Sequence, residues 1–153
     1  MSKVKLFWLV AFMTSLFCFM PASGIAPAAE SQGDYAGVET CKGCHGKITQ
    51  GWQKTSHAKA IESLKKTNQQ NLPGCVRCHV TGYEEPSGFI DFDLTPELAN
   101  VQCEACHGPR KDHAANPSKA GSPVTEDKCR KCHTPGQDSH FDYKQKVRFV
   151  HGN

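Results

Sequence analysis

Hydrophobic residues are spread unevenly along the 153 residues of the chain. Lys3 and Lys5 precede an apolar run from Leu6 to Met20, and small residues and prolines fill positions 21 to 29. A basic start, a short apolar core and a small-residue region predict a secretory signal peptide over residues 1–29, with cleavage somewhere in 24–29. The run is short for a membrane span, which needs about 20 apolar residues. No stable membrane insertion is expected unless this segment stays uncleaved. Cys18 lies inside the run without small residues before it, which argues against a lipoprotein anchor.

After the leader the pattern thins. From Glu30 onward there are three Ile, four Leu, seven Val and four Phe among 124 residues. That share is below the roughly 20% under which a chain is expected to stay disordered. Residues 30–38 read as a flexible lead into a single domain spanning 30–153. Between Gly51 and Lys66, Trp52, His57, Ile61 and Leu64 recur at helical spacing. Thr95-Pro96-Glu97 predicts an N-cap, a first-turn proline and a first-turn acid, leading through Leu98 and Val101. Thr125-Glu126-Asp127 predicts another helix start. Gly82 to Asp93, with Pro86, Gly88, Phe89 and Phe92, reads as a loop or short hairpin. No long strand pattern is present. The fold class expected is mostly α and irregular, with little β.

Something other than aliphatic side chains must therefore fill the core, and the cysteines say what. Cys-x-x-Cys-His occurs four times, as Cys41/Cys44/His45, Cys75/Cys78/His79, Cys103/Cys106/His107 and Cys129/Cys132/His133. Two cysteines three residues apart fall on one side of a helical turn. From there both thiols can add to the vinyl groups of one haem, and the adjacent histidine reaches the iron as proximal ligand. Four-thiolate zinc sites and a disulfide framework use the same cysteine spacing. Neither requires a histidine after every second cysteine, and four such matches by accident have odds on the order of one in a hundred thousand given the recognised haem signature. The motifs predict four covalently attached c haems, with short helices wrapped around them. Each haem is a large apolar plate and supplies the missing core.

Removal of the leader changes the inventory. Met1, Met13 and Met20, the chain's three methionines, lie within it, as does Cys18. The expected mature chain then has no Met to serve as a distal ligand and no cysteine outside the motifs. Sixteen basic residues face 15 acids. Two propionates per haem make the holoprotein acidic, which excludes nucleic acid as a partner. Eight histidines minus four proximal ones leave His57, His113, His140 and His151. Four haems and four spare histidines permit complete bis-histidine ligation. His107 and His113 would have to reach round a macrocycle edge to share an iron, so His113 is expected to serve another haem. His140 sits in the polar loop Gly136-Gln137-Asp138-Ser139, where solvent is expected around it.

Several of these segments resemble one family. Cys41-x-x-Cys44-His45 followed by Trp52-x-x-x-Ser56-His57-Ala58-Lys59-Ala60 is similar to the cytochrome c-554 type of multihaem cytochrome. So are Cys103-Glu104-Ala105-Cys106-His107-Gly108-Pro109 with His113, and Cys129-x-x-Cys132-His133-Thr134-Pro135 with Phe141-x-Tyr143 and a late His151. The resemblance implies distal ligation by His57, His113 and His151, with packed haems relaying electrons. It also implies one five-coordinate haem, on His79, and makes His140 a loop residue, whereas simple counting makes His140 the fourth ligand.

The expectation is an exported, periplasmic tetrahaem carrier that passes electrons between redox partner proteins. Two other classes fit the same motifs. An open iron could convert small nitrogen compounds, and self-assembly would make the chain an oligomer or a subunit of a conducting extracellular filament.

Overall fold

The computed structural model describes residues 34–119, 121 and 123–152. The expected leader, residues 1–29, with its methionines and Cys18, lies outside the described residues. Among the described residues seven short helices form: α1 (Val38–Trp52), α2 (Ala60–Lys65), α3 (Pro73–Val76), α4 (Cys103–His107), α5 (Lys111–Ala115), α6 (Glu126–Arg130) and α7 (Tyr143–Lys146). The same residues include three 3-10 turns, His57–Lys59, Pro96–Leu98 and Val147–Phe149. Among the described residues no sheet forms. A single antiparallel bridge joins Val80 to Ala99. The expected class, short helices with irregular chain, is the one found.

The side-chain core is small. Ile61 and Leu64 from α2, Val76 from α3, and Val80, Phe89 and Leu98 form one cluster, with Tyr35, Tyr83 and Phe92 against it. Phe89 and Phe92 meet edge to face at 5.0 Å, so the segment expected to be a loop or hairpin folds as a loop that feeds this cluster. Beside it runs a buried polar seam. Thr81 donates through Oγ1 to the Asn100 carbonyl and accepts the Gln102 N–H. Such pairing is what makes burial of hydroxyl and amide groups tolerable.

Three local expectations are corrected. Residues 34–38 are not a flexible lead. The N–H groups of Ala36 and Gly37 donate to the Glu104 carboxylate at 2.8–3.0 Å, and Val38 N–H donates to Gln102 Oε1 at 2.8 Å. A helix start leaves orphan N–H groups, and here side chains at the head of α4 satisfy those of α1. Second, Gly51–Lys66 is not one helix. Lys54 and Thr55 bond to carbonyls three residues back, and the Thr55 hydroxyl also takes the Trp52 carbonyl. These bonds tighten and end α1, and the chain restarts at His57. Third, Thr95 caps no helix with its side chain. Its hydroxyl accepts the Ile90 N–H instead. Asn100, at φ 71°, breaks the path before α4. At Thr125 the helix does begin where expected, as α6.

Candidate haem-ligating site

Each Cys-x-x-Cys-His lies on or directly after a helical turn. The first is inside α1, where His45 departs from helical geometry at φ −106°, ψ 38° and kinks the helix. The third is α4 itself, closed by Gly108 at φ 74°, a positive φ that suits glycine. Cys75 and Cys129 lie in α3 and α6, and their histidines follow in the next turn, tied by His79 N–H to Val76 O and His133 N–H to Cys129 O at 2.8 and 2.9 Å.

The motifs approach one another out of chain order. The Cys41 thiol acts on that of Cys103, and the Cys78 thiol on that of Cys132. Cys106 lies near both Cys129 and Cys132. The spatial order is thus first, third, fourth, second. The contacts leave their mark on the free thiols. The neighbouring Cys41 thiol brings Cys103 down to about 7, and Cys103 in turn pushes Cys41 up. Burial raises Cys106 to about 11 and Cys132 to about 12. All eight described cysteines are free of disulfides. Among the described residues no group of three or more His, Cys, Asp and Glu side chains is arranged to hold a metal ion directly.

The histidines pair across the molecule. His45 faces His113 with ring centroids 6.1 Å apart and planes 20° from parallel. His107 faces His151 at 6.3 Å and 8°. His57 faces His133 at 6.0 Å and 65°. A metal–imidazole bond of about 2 Å puts two imidazole rings on opposite sides of one iron about 6 Å apart, centre to centre. The three pairs fit that spacing. Each joins one motif histidine to one spare histidine. His113 faces the first motif, not its own neighbour His107. Among the described residues His79 makes no ring contact with another histidine. His140 is exposed, with Nδ1 3.0 Å from the Ser139 hydroxyl.

Hydrogen bonds at the far nitrogen set the tautomer. His79 donates from Nδ1 to the Ala60 carbonyl at 2.6 Å, His113 to the Lys119 carbonyl at 2.8 Å, and His133 to the Asp138 carboxylate at 2.9 Å. A carbonyl or carboxylate only accepts, so Nδ1 carries the proton and Nε2 keeps a lone pair for iron. Burial lowers the proton affinity of His57 and of His107, with His133 and His151 respectively adding to the effect. Both effects favour the neutral ring, the form that ligates.

Sequence reasoning missed three supports of this site. Asp138 was read as part of a solvated loop, yet it turns onto His133. Glu104, between the cysteines of the third motif, is 2% exposed and accepts N–H bonds from residues 36, 37 and 110. Gly51 and Gly152 lie against each other's backbone, and a Cβ on Gly51 would run into the His151 carbonyl. The only available signals were the unusual Glu104 context and the glycine directly after His151.

Known proteins resemble this chain in sequence and in fold. The family described as Cytochrome c554 and c-prime matches residues 40–108. Cytochrome c-554 of Nitrosomonas europaea is 32% identical over 146 residues, covering 81% of this chain and 60% of that protein. The structure of reduced cytochrome c554 from the same organism superposes with a TM-score of 0.62 at 26% identity, covering 78% of this chain and 84% of that one. The chain is a cytochrome of the c-554 type. Its cofactor is covalently attached c haem, and the motif cysteines have the spacing that attachment needs. This c-554-type chain spans about 60% of the length of the curated relative it matches. Among its described residues, no helix is long and apolar enough to cross a membrane.

Proposed function

We infer that the protein is an exported, periplasmic tetrahaem cytochrome that moves electrons between redox partner proteins. Cys41/Cys44, Cys75/Cys78, Cys103/Cys106 and Cys129/Cys132 each hold one haem. His45, His79, His107 and His133 are the proximal ligands. His113, His151 and His57 close the irons of His45, His107 and His133, while His79 keeps an open iron and His140 ligates none. Bound c haem supplies one-electron chemistry at iron. The chain's contribution is placement: the contacts between motifs bring its attachment points into one row, first, third, fourth, second.

The observation that carries this reading is the set of three imidazole pairs at 6.0–6.3 Å, with His79 outside it. The unpaired His79 also favours a second reading, in which the open iron binds a small nitrogen compound. Electron paramagnetic resonance of the oxidised holoprotein, with four haems first verified by mass, tests both. Three low-spin irons and one high-spin iron are expected. Replacing His57, His113 or His151 by Ala converts one further iron to high spin, while His140→Ala changes nothing. Four low-spin irons in the parent protein, or loss of one in His140→Ala, rejects the ligand set. A high-spin signal that does not respond to added nitric oxide rejects the small-molecule reading and leaves the carrier.

A further inference from the structure

His133 differs from the other motif histidines in what surrounds its ring. Its Nδ1 lies 2.9 Å from Asp138 Oδ2, whereas His79 has the neutral Ala60 carbonyl and, at 3.4 Å, the Ser63 hydroxyl. Phe141 stacks on the His133 ring at 4.4 Å and 18°. Arg130 lies over Phe141 at 4.9 Å, donates to its carbonyl at 3.2 Å, and is itself paired with Glu126. The ring is therefore clamped by a stack on its face and a carboxylate at its edge. Asp138 is held by its own N–H bond to the Thr134 carbonyl at 2.8 Å, within the turn that follows the fourth motif.

We propose that Asp138 is a positioning residue that, through its hydrogen bond to His133, makes the fourth haem a more reducing centre than its own ligands alone would make it. This rests on the axial assignment of His133 and His57. A carboxylate accepting the imidazole proton draws negative charge onto the ring and makes it a stronger donor. The ferric iron, one charge more positive than the ferrous, gains more from that donation, so the reduction potential falls. A backbone carbonyl, being neutral, does this less. The fourth motif stands between the third and second in the row of attachment points, so Asp138 sets a step in energy in the middle of the path.

The geometry also gives this haem a spectroscopic address. The imidazole planes of His57 and His133 cross at 65°, while the other two pairs lie at 20° and 8°. Crossed ligand planes leave the iron d orbitals nearly degenerate and give a low-spin signal with a large maximum g value. Parallel planes give an ordinary rhombic one. The test is a potentiometric titration of the holoprotein followed by electron paramagnetic resonance, on the parent chain, Asp138→Asn and Asp138→Glu. All three are first checked by mass for four haems. In Asp138→Asn the large-g signal should titrate at a more positive potential while the other midpoints stay in place. Asp138→Glu, which keeps a carboxylate, should return it towards the parent value. An unchanged large-g midpoint in Asp138→Asn overturns the proposal, as does an equal shift in both variants or a shift shared by all four haems. A parent spectrum with no large-g signal instead overturns the pairing of His57 with His133 on which the proposal stands.

Discussion

At the scale of single residues, the site is fixed as much by atoms that touch no iron as by those that do. His151 follows the 3-10 turn Val147–Phe149 and lies outside any helix. It is held because Gly51 and Gly152 allow two backbones to meet: the Gly152 N–H bonds to Phe149 O at 2.9 Å, and the His151 carbonyl lies over Gly51. Gly51→Ala places a methyl group against that carbonyl, which is backbone and cannot swing aside. We expect His151 to be displaced and the iron of His107 to become wholly or partly high spin. The loss of stability should be modest, about 1–3 kcal/mol, as for overpacking elsewhere. The check is the high-spin fraction of the oxidised variant. A parent-like spectrum would show that His151 reaches its place without this contact.

At the scale of elements, the helices are too short to stand by propensity and are held by side chains reaching between them. Glu104 is the strongest case. A buried carboxylate binding three backbone N–H groups joins the start of α1 to α4 and to Arg110. Arg110 in turn donates to the His107 carbonyl, so the third motif and its exit are tied to the first. Glu104→Gln keeps the shape but turns one acceptor into a donor facing N–H groups. Charge-assisted bonds contribute more than neutral ones, and we expect a loss of about 2 kcal/mol in urea unfolding of the holoprotein. A midpoint and slope equal to the parent's would count against this anchor. The sequence made the motif helices and the absence of strands readable, because Cys-x-x-Cys-His carries its own geometry and the aliphatic pattern is too thin for a sheet. It did not show Glu104 as a cap or Asp138 as a partner of His133. Both are polar residues whose role depends on contacts that no periodicity records. The broken stretch at 53–56 was hidden for a related reason. Trp52, Ile61 and Leu64 are all buried, as the helical spacing implied, but two separate elements bury them.

At the scale of the whole molecule, the ligand inventory bounds the energetics. Seven buried hydrophobic side chains among the described residues make a core too small to order so much irregular chain. Bound haem, a large apolar plate, would complete it. Residues 34–152 contain no methionine, and a second imidazole faces three of the four motif histidines, His45, His107 and His133. Methionine ligation is the pairing that raises the potential of ordinary cytochromes c, because a thioether favours ferrous iron. Imidazole is the better donor to ferric iron, and the two propionates of each haem add negative charge that favours it further. The midpoints should therefore fall below those of a His/Met cytochrome, and the absorption band of a sulfur–iron bond should be missing. A potentiometric titration of the holoprotein reads both at once. A majority of high-potential haems would mean that burial or a missing ligand outweighs imidazole donation, and the ligand set drawn from the three pairs would then have to be abandoned.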